Sequence, residues 1–215
     1  MIYKNGRTIE TKVIKTTNKH TYVVPKNGYL EIRLSKYANL NDILKRIEPN
    51  FDKYERLTKY IPEDELMLWG KCYKLEVIKT KGFSYHLENG IIKVKSDAYL
   101  EQIKDLILKQ ELLNELKSIT ALVNKQIKLF GYQEVPIKVA KLKSKYGSYH
   151  LKKHEITLNS KLAHYDKIYL TYVLYHEYAH QKHPHHQKTF YQALATLFPE
   201  YKSVQAELKN QRIYQ

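Results

Sequence analysis

The sequence of 215 residues predicts an α+β fold, in which a β-rich N-terminal region precedes a helix–sheet–helix second half. Three observations support this prediction. Short β-favouring stretches, separated by turn sequences, occupy much of residues 8–95. An apolar stripe at three- and four-residue spacing runs through residues 98–130, and helical patterns return after residue 166. Since no repeat, low-complexity tract or flexible linker interrupts the chain, we divide it only into residues 1–97 and 98–215.

The N-terminal region is predicted to contain strands and one interrupted helix. Residues 8–34 favour strands, with a turn at Lys26-Asn27-Gly28. Apolar residues at helical spacing predict a helix over residues 39–60, which Pro49 kinks or splits. A single strand is expected over residues 66–78.

A hairpin and a long helix are predicted next. The strands of the hairpin are residues 83–88 and 91–95, joined by Asn89-Gly90, a dipeptide that favours tight hairpin turns. The helix covers residues 98–130, and Gly131 is its expected C-terminal stop.

The last third is predicted to contain a small sheet and three helices. Two strands are expected, over residues 135–142 and 149–158. Asp166 is the expected N-cap of the first helix. The three helices are predicted over residues 166–183, 187–197 and 201–212.

Composition indicates a soluble protein without disulfides. The single cysteine, Cys72, excludes an internal disulfide and a cysteine-based zinc cluster, so a reducing compartment is expected. The first residues lack the apolar stretch of a signal peptide, and no run approaches the ~18 apolar residues of a membrane span. We therefore expect a cytoplasmic protein with no membrane partner.

The formal net charge is +15, divided into +8 in residues 1–95 and +7 in residues 96–215. A field of this sign attracts polyanions such as nucleic acid. The alternative interpretation is a lysine-rich solvated surface. This interpretation is favoured because the sequence has no arginine-rich stripe and no nucleic-acid motif. Nucleic acid is therefore expected only as an additional partner.

His176, Glu177 and His180 form the pattern His-Glu-x-x-His on a predicted helix. Four residues make slightly more than one turn, so both imidazoles project from one face and can bind one metal ion. Zn²⁺ is favoured because it binds imidazole readily and leaves a fourth position open for water. Glu177 lies beside that position, where it can activate the zinc-bound water as a general base.

A catalytic zinc needs a third protein ligand. His183 lies seven residues after His176, roughly 10.5 Å along a straight helix, which is too far for convergence on one ion. Pro184 disfavours helix at His183 and marks the exit of the chain, after which His185 or His186 can fold back towards the metal. His186 is favoured because it lies ten residues after His176, a spacing that resembles that of zinc peptidases whose chain turns sharply after this pattern. The alternatives to His186 are His185 and a downstream carboxylate, Glu200 or Glu207.

Several short motifs follow the order of a known family. They are residues 144–149 (Ser-Lys-Tyr-Gly-Ser-Tyr), residues 156–159 (Ile-Thr-Leu-Asn), the His-Glu-x-x-His pattern, residues 183–186 (His-Pro-His-His) and Phe190. In this order the sequence resembles the YgjP-like zinc metallopeptidases, relatives of the SprT-like minimal zincins. Two positions depart from the family pattern, since Tyr146 stands where Trp is usual and Tyr149 where Cys is usual.

The resemblance implies a zincin-like catalytic domain over residues 98–215. It implies that His176, His180 and His186 bind Zn²⁺ and that Glu177 is the general base, in an enzyme that hydrolyses peptide bonds of peptide or protein substrates. The alternatives are a nucleic-acid-associated protease of SprT-like type and a non-catalytic, zinc-stabilised binding module. Three further residues are candidates for contacts to the transition state or substrate: His183, Tyr191 and Tyr201.

Overall fold

A computed structural model describes residues 1–211 and confirms the α+β class. The contacts among these residues divide them into two compact units. The first unit is Met1–Glu63 together with Asn210 and Gln211, and the second unit is Asp64–Lys209. The division into residues 1–97 and 98–215 stays a prediction. No helix among residues 1–211 is both long enough and apolar enough to cross a membrane.

The first unit contains two small sheets and two helices. Strands β1 (Ile2–Lys4) and β2 (Arg7–Ile9) pair with each other, and a second sheet has the order β3 (Thr11–Thr16), β5 (Leu30–Ser35), β4 (Tyr22–Pro25). The helix predicted over residues 39–60 consists of α1 (Leu40–Ile47), a 3₁₀ turn at Glu48–Asn50 and α2 (Phe51–Thr58). Pro49 lies in that turn, so the predicted split is confirmed. The core of this unit is formed by Ile2, Ile9, Leu30, Ile32, Leu34, Ile43, Ile47 and Phe51.

A four-stranded sheet begins the second unit. Its strand order is β6 (Glu65–Leu68), β7 (Lys71–Ile78), β9 (Ile91–Ser96), β8 (Phe83–Glu88). The Asn89-Gly90 hairpin is confirmed. The single strand predicted over residues 66–78 is wrong: Trp69 and Gly70 adopt positive φ angles of 51° and 76°, and this turn reverses the chain into a hairpin.

Helix α3 (Leu100–Leu129) leads to the small sheet that supports the site. The order of this sheet is β10 (Ile137–Ala140), β12 (Glu155–Asn159), β11 (Gly147–His150), with β12 parallel to β10 and antiparallel to β11. The strand predicted over residues 149–158 is therefore wrong. A turn over residues 151–154, with His154 at a φ of 50°, divides it into β11 and β12.

Three helices complete the second unit: α4 (Lys167–Ala179), α5 (Lys188–Leu197) and α6 (Tyr201–Lys209). Asp166 caps α4 by accepting a hydrogen bond from the Ile168 N–H at 3.0 Å, as predicted. The predicted end of this helix at residue 183 is wrong, because His180 is already its C-cap. The predicted end of the last helix at residue 212 lies outside the described residues.

Candidate active site

Helix α4 carries the His-Glu-x-x-His pattern and is buried along most of its length. It packs on β11, β12, α5 and α6. Its apolar residues Leu170, Leu174 and Ala179 are fully buried. Within the described part of the second unit, Glu177 is the one buried charged side chain, with 5% of its surface exposed.

Three imidazoles converge at the C-terminal end of α4. The side chains of His176, His180 and His186 each offer a ring nitrogen, and these nitrogens lie within 4.8 Å of one another. The His176 and His186 Nε2 atoms are 3.0 Å apart. The three ring centroids are separated by 4.8–5.0 Å.

Phe190 on α5 forms the apolar support beneath these rings. It is fully buried, and its ring centroid lies 4.7–4.9 Å from those of His176, His180 and His186. The chain leaves α4, turns around Pro184 and enters α5, and this path brings His186 back towards His176.

The two histidines of the His-Glu-x-x-His pattern are held differently by their neighbours. The His180 Nδ1–H donates to the His183 carbonyl oxygen at 3.0 Å, which leaves Nε2 with its lone pair free for a metal ion. The buried His176 Nδ1 has no hydrogen-bond partner among the described residues. Burial lowers the pKa of His176 to about 3, helped by the neighbouring His180 and His186, and burial also lowers the pKa of His180. Both rings are therefore neutral at pH 7, as metal ligands must be.

Strand β11 holds the Glu177 carboxyl group. Burial raises the pKa of Glu177 to about 7, and this shift is partly offset by a hydrogen bond from the Tyr149 backbone N–H and by the charge of Lys145. At Gly147, a Cβ atom would lie 2.7 Å from the Glu177 Oε1 and 2.9 Å from its Cγ. Because real Cβ atoms essentially never approach so closely, the Glu177 side chain occupies space that only glycine leaves free.

Asn159 fixes the segment that leads into β11. Its Nδ2 donates to the carbonyl oxygens of Leu142 (3.0 Å) and Lys145 (2.7 Å), and its Oδ1 accepts from the N–H groups of Leu142 and Lys161. The Asn159 backbone N–H also donates to the Tyr146 carbonyl oxygen at 2.8 Å. The buried Asn159 side chain thus positions the backbone of the segment that leads into β11, the strand that contacts Glu177.

A cavity of about 510 Å³ opens beside the three histidines and Glu177. This volume is within the usual range for small-ligand sites. Most of the lining is apolar or aromatic. The lining residues other than the histidines and Glu177 are Lys145, Tyr146, Gly147, Ser148, Tyr149, Leu151, Tyr172, Val173, Pro184, Gln205, Leu208 and Lys209.

The structure brings together only some of the residues singled out from the sequence. His183, Tyr191 and Tyr201 are not among the described residues that line the cavity, and Tyr191 instead stacks on Tyr201 with ring centroids 6.1 Å apart. Their contacts to a transition state or substrate stay a prediction. Among the described residues, neither His185, Glu200 nor Glu207 joins the histidine cluster.

Several residues at the site were not assigned a role from the sequence. Gly147, Asn159 and Lys145 belong to motifs that only indicated the family, since the contacts of these residues depend on how β11 meets α4. Tyr172 lines the cavity, and its hydroxyl accepts a hydrogen bond from the Gln205 Nε2 at 3.0 Å.

Comparisons with known proteins agree with the motifs. The family model described as YgjP-like, metallopeptidase domain, matches residues 23–211. No curated protein matches the chain at a significant level.

Two solved structures are similar to part of the chain. The metallopeptidase zymogen abylysin of Pyrococcus abyssi is 26% identical, with a TM-score of 0.39, over 45% of this chain and 99% of that one. The metallopeptidase zymogen jannalysin of Methanocaldococcus jannaschii is 25% identical, with a TM-score of 0.37, over 42% of this chain and 93% of that one.

Proposed function

The chain belongs to the YgjP-like metallopeptidase family, and from this premise we propose that it is a zinc-dependent peptidase in which Glu177 is the general base. His176, His180 and His186 are the proposed zinc ligands. The observation that carries the proposal is the convergence of three imidazoles beside a buried carboxylate and a cavity.

The donor set suits zinc in number and chemistry, and the distance between two of its nitrogens suits zinc as well. Three protein ligands with an open fourth position are typical of catalytic zinc. In a tetrahedral site with Zn–N bonds of about 2.05 Å, two ligand nitrogens lie about 3.3 Å apart, close to the observed 3.0 Å between the His176 and His186 Nε2 atoms. Zinc bound there would polarise the scissile carbonyl group and make a neighbouring water molecule more acidic.

The chain itself supplies proton transfer and orientation. The Glu177 carboxylate accepts a proton from the attacking water and passes it to the nitrogen of the leaving amine. Burial raises the pKa of Glu177 to about 7, so the same group can accept and then release a proton near neutral pH. Gly147 and the Tyr149 N–H keep the carboxylate oriented during both transfers.

Glu177→Gln tests the general-base role. The amide keeps the size of the side chain but cannot accept the proton, so we expect unchanged zinc binding and a kcat lowered by about 10²–10⁴-fold. Zinc content and peptide hydrolysis are measured on the same preparations. Glu200→Gln is the matched control, because Glu200 is exposed and absent from the described cavity lining, and it should retain wild-type kcat. A Glu177→Gln variant that binds zinc and cleaves peptides at the wild-type rate would falsify the proposal.

A zinc-stabilised binding module is the alternative from another class. Structural zinc sites are closed by four protein ligands. The three-histidine donor set and the adjoining cavity favour catalysis over this alternative.

A further inference from the structure

Lys145 is a cation whose backbone is held firmly at the edge of the candidate active site. Its carbonyl oxygen accepts from the Asn159 Nδ2 at 2.7 Å, and the next carbonyl oxygen, that of Tyr146, accepts from the Asn159 backbone N–H at 2.8 Å. Asn159 has only 4% of its surface exposed. The position of Lys145 is therefore set by the buried sheet, although its side chain is exposed.

Lys145 lines the same cavity as Glu177 and His180. Glu177 is the only acidic residue among the described residues of the lining, and it is assigned to proton transfer. Within residues 1–211, Lys145 forms no salt bridge. Lys141 on the same segment differs, since its Nζ lies 2.6 Å from the Asp105 Oδ2.

The remaining lining offers apolar surface close to this cation. Leu151, Val173 and Leu208 contribute aliphatic groups, and Tyr146 and Tyr149 contribute rings. Lys209 adds a second positive charge. A ligand that complements this arrangement has a large apolar group and, next to it, a carboxylate.

We propose that Lys145 binds a carboxylate of the substrate, so that the enzyme prefers peptides with an acidic group beside a large apolar residue near the scissile bond. This inference rests on the proposed peptidase function. The carboxylate comes either from an Asp or Glu side chain or from the C-terminus of a peptide. Lys145 is thus a specificity-determining residue.

The test uses the zinc-loaded full chain and one cleaved peptide that contains a large apolar residue. Each position that flanks the scissile bond is occupied in turn by Glu, Gln or Lys, and the C-terminus is either free or amidated. We expect Glu at one position, or a free C-terminus, to raise kcat/KM about fivefold over its neutral counterpart, which is the upper end for a partly solvated ion pair. The gain should shrink as salt is added.

Variants at residues 145 and 143 test whether Lys145 causes the preference for a substrate carboxylate. Lys145→Gln should lower the ratio of kcat/KM for the Glu-containing peptide to kcat/KM for the Gln-containing peptide from about five to about one. Lys145→Glu should make the Lys-containing peptide the better substrate. Lys143→Gln and Lys143→Glu carry the same charge changes two residues away, outside the described cavity lining, and should keep the wild-type preference.

Two results overturn the inference while the peptidase function stands: wild-type enzyme that cleaves peptides with no preference for a carboxylate, or Lys145→Gln that slows all peptides equally. A zinc-loaded enzyme that cleaves no peptide overturns the proposed function and this inference together.

Discussion

The three histidines of the cluster differ in how the sequence could identify them. His176 and His180 follow from helical spacing alone, because residues four apart share a face. His186 depends on a change of chain direction after α4, and spacing left His185, Glu200 and Glu207 open as alternatives. The structure brings the His186 Nε2 to 3.0 Å from the His176 Nε2. The packing of the chain, with Phe190 beneath the rings, therefore brings His186 to His176, which the local sequence pattern could not show.

Replacing His186 and, separately, its neighbour His185 should show which of the two binds zinc. We expect His186→Ala to lower zinc affinity by at least about 100-fold, because loss of a direct ligand costs no less than loss of a group that only orients one. His185→Ala is the matched control and should bind zinc like the wild type, since His185 is outside the cluster. Competition with a chelator measures both affinities. Equal zinc affinities for the two variants would contradict the proposed ligand set.

At the scale of single elements, β11 is the feature that sequence reasoning described least well. Its predicted strand, residues 149–158, began too late and missed the turn before β12. Gly147 was therefore placed in a connection, although it lies on the strand that faces Glu177. The periodicity of side chains cannot report a close approach between a strand backbone and a helix. In contrast, strong local signals predicted the Asn89-Gly90 hairpin, the split at Pro49 and the Asp166 cap correctly.

Gly147→Ala should displace the Glu177 carboxylate without removing the metal ligands. A Cβ atom 2.7 Å from the Glu177 Oε1 forces one of the two groups to move. We expect kcat to fall by about 10–100-fold, as for small misplacements of catalytic groups, with KM changed little. Zinc content and the midpoint of thermal unfolding should show that the variant is folded and loaded. A folded, zinc-loaded variant with wild-type kcat would show that β11 does not orient Glu177.

At the scale of the whole molecule, the sequence predicted the fold class and the family, because both depend on patterns that extend over many residues. The alternative of a nucleic-acid partner stays a prediction. The net charge of +15 favours it, but the charge is spread evenly along the chain and identifies no binding surface.

The stability of the protein should depend on pH through His164. Its Nδ1–H donates to the Met67 carbonyl oxygen at 2.8 Å, and burial lowers its pKa to about 4, although that hydrogen bond opposes the shift. In the unfolded chain, His164 takes up a proton below pH ~6.5, whereas the folded protein resists protonation down to about pH 4. The free energy of unfolding should therefore fall as the pH drops from ~6.5 to ~4, by on the order of 3 kcal/mol.

Urea unfolding at several pH values measures this effect. In His164→Gln the contribution is absent, so the difference in unfolding free energy between wild type and variant should change over that pH range. His86→Gln, at an exposed histidine, is the matched control and should keep the pH dependence of the wild type. A His164→Gln variant with the same pH dependence as wild type would disprove the role of His164.

X-ray absorption at the zinc edge of the zinc-loaded full chain tests the metal centre most directly. We expect three imidazole nitrogens at about 2.0 Å from the zinc and one oxygen from water. A fourth protein ligand, or fewer than three imidazoles, would contradict this expectation.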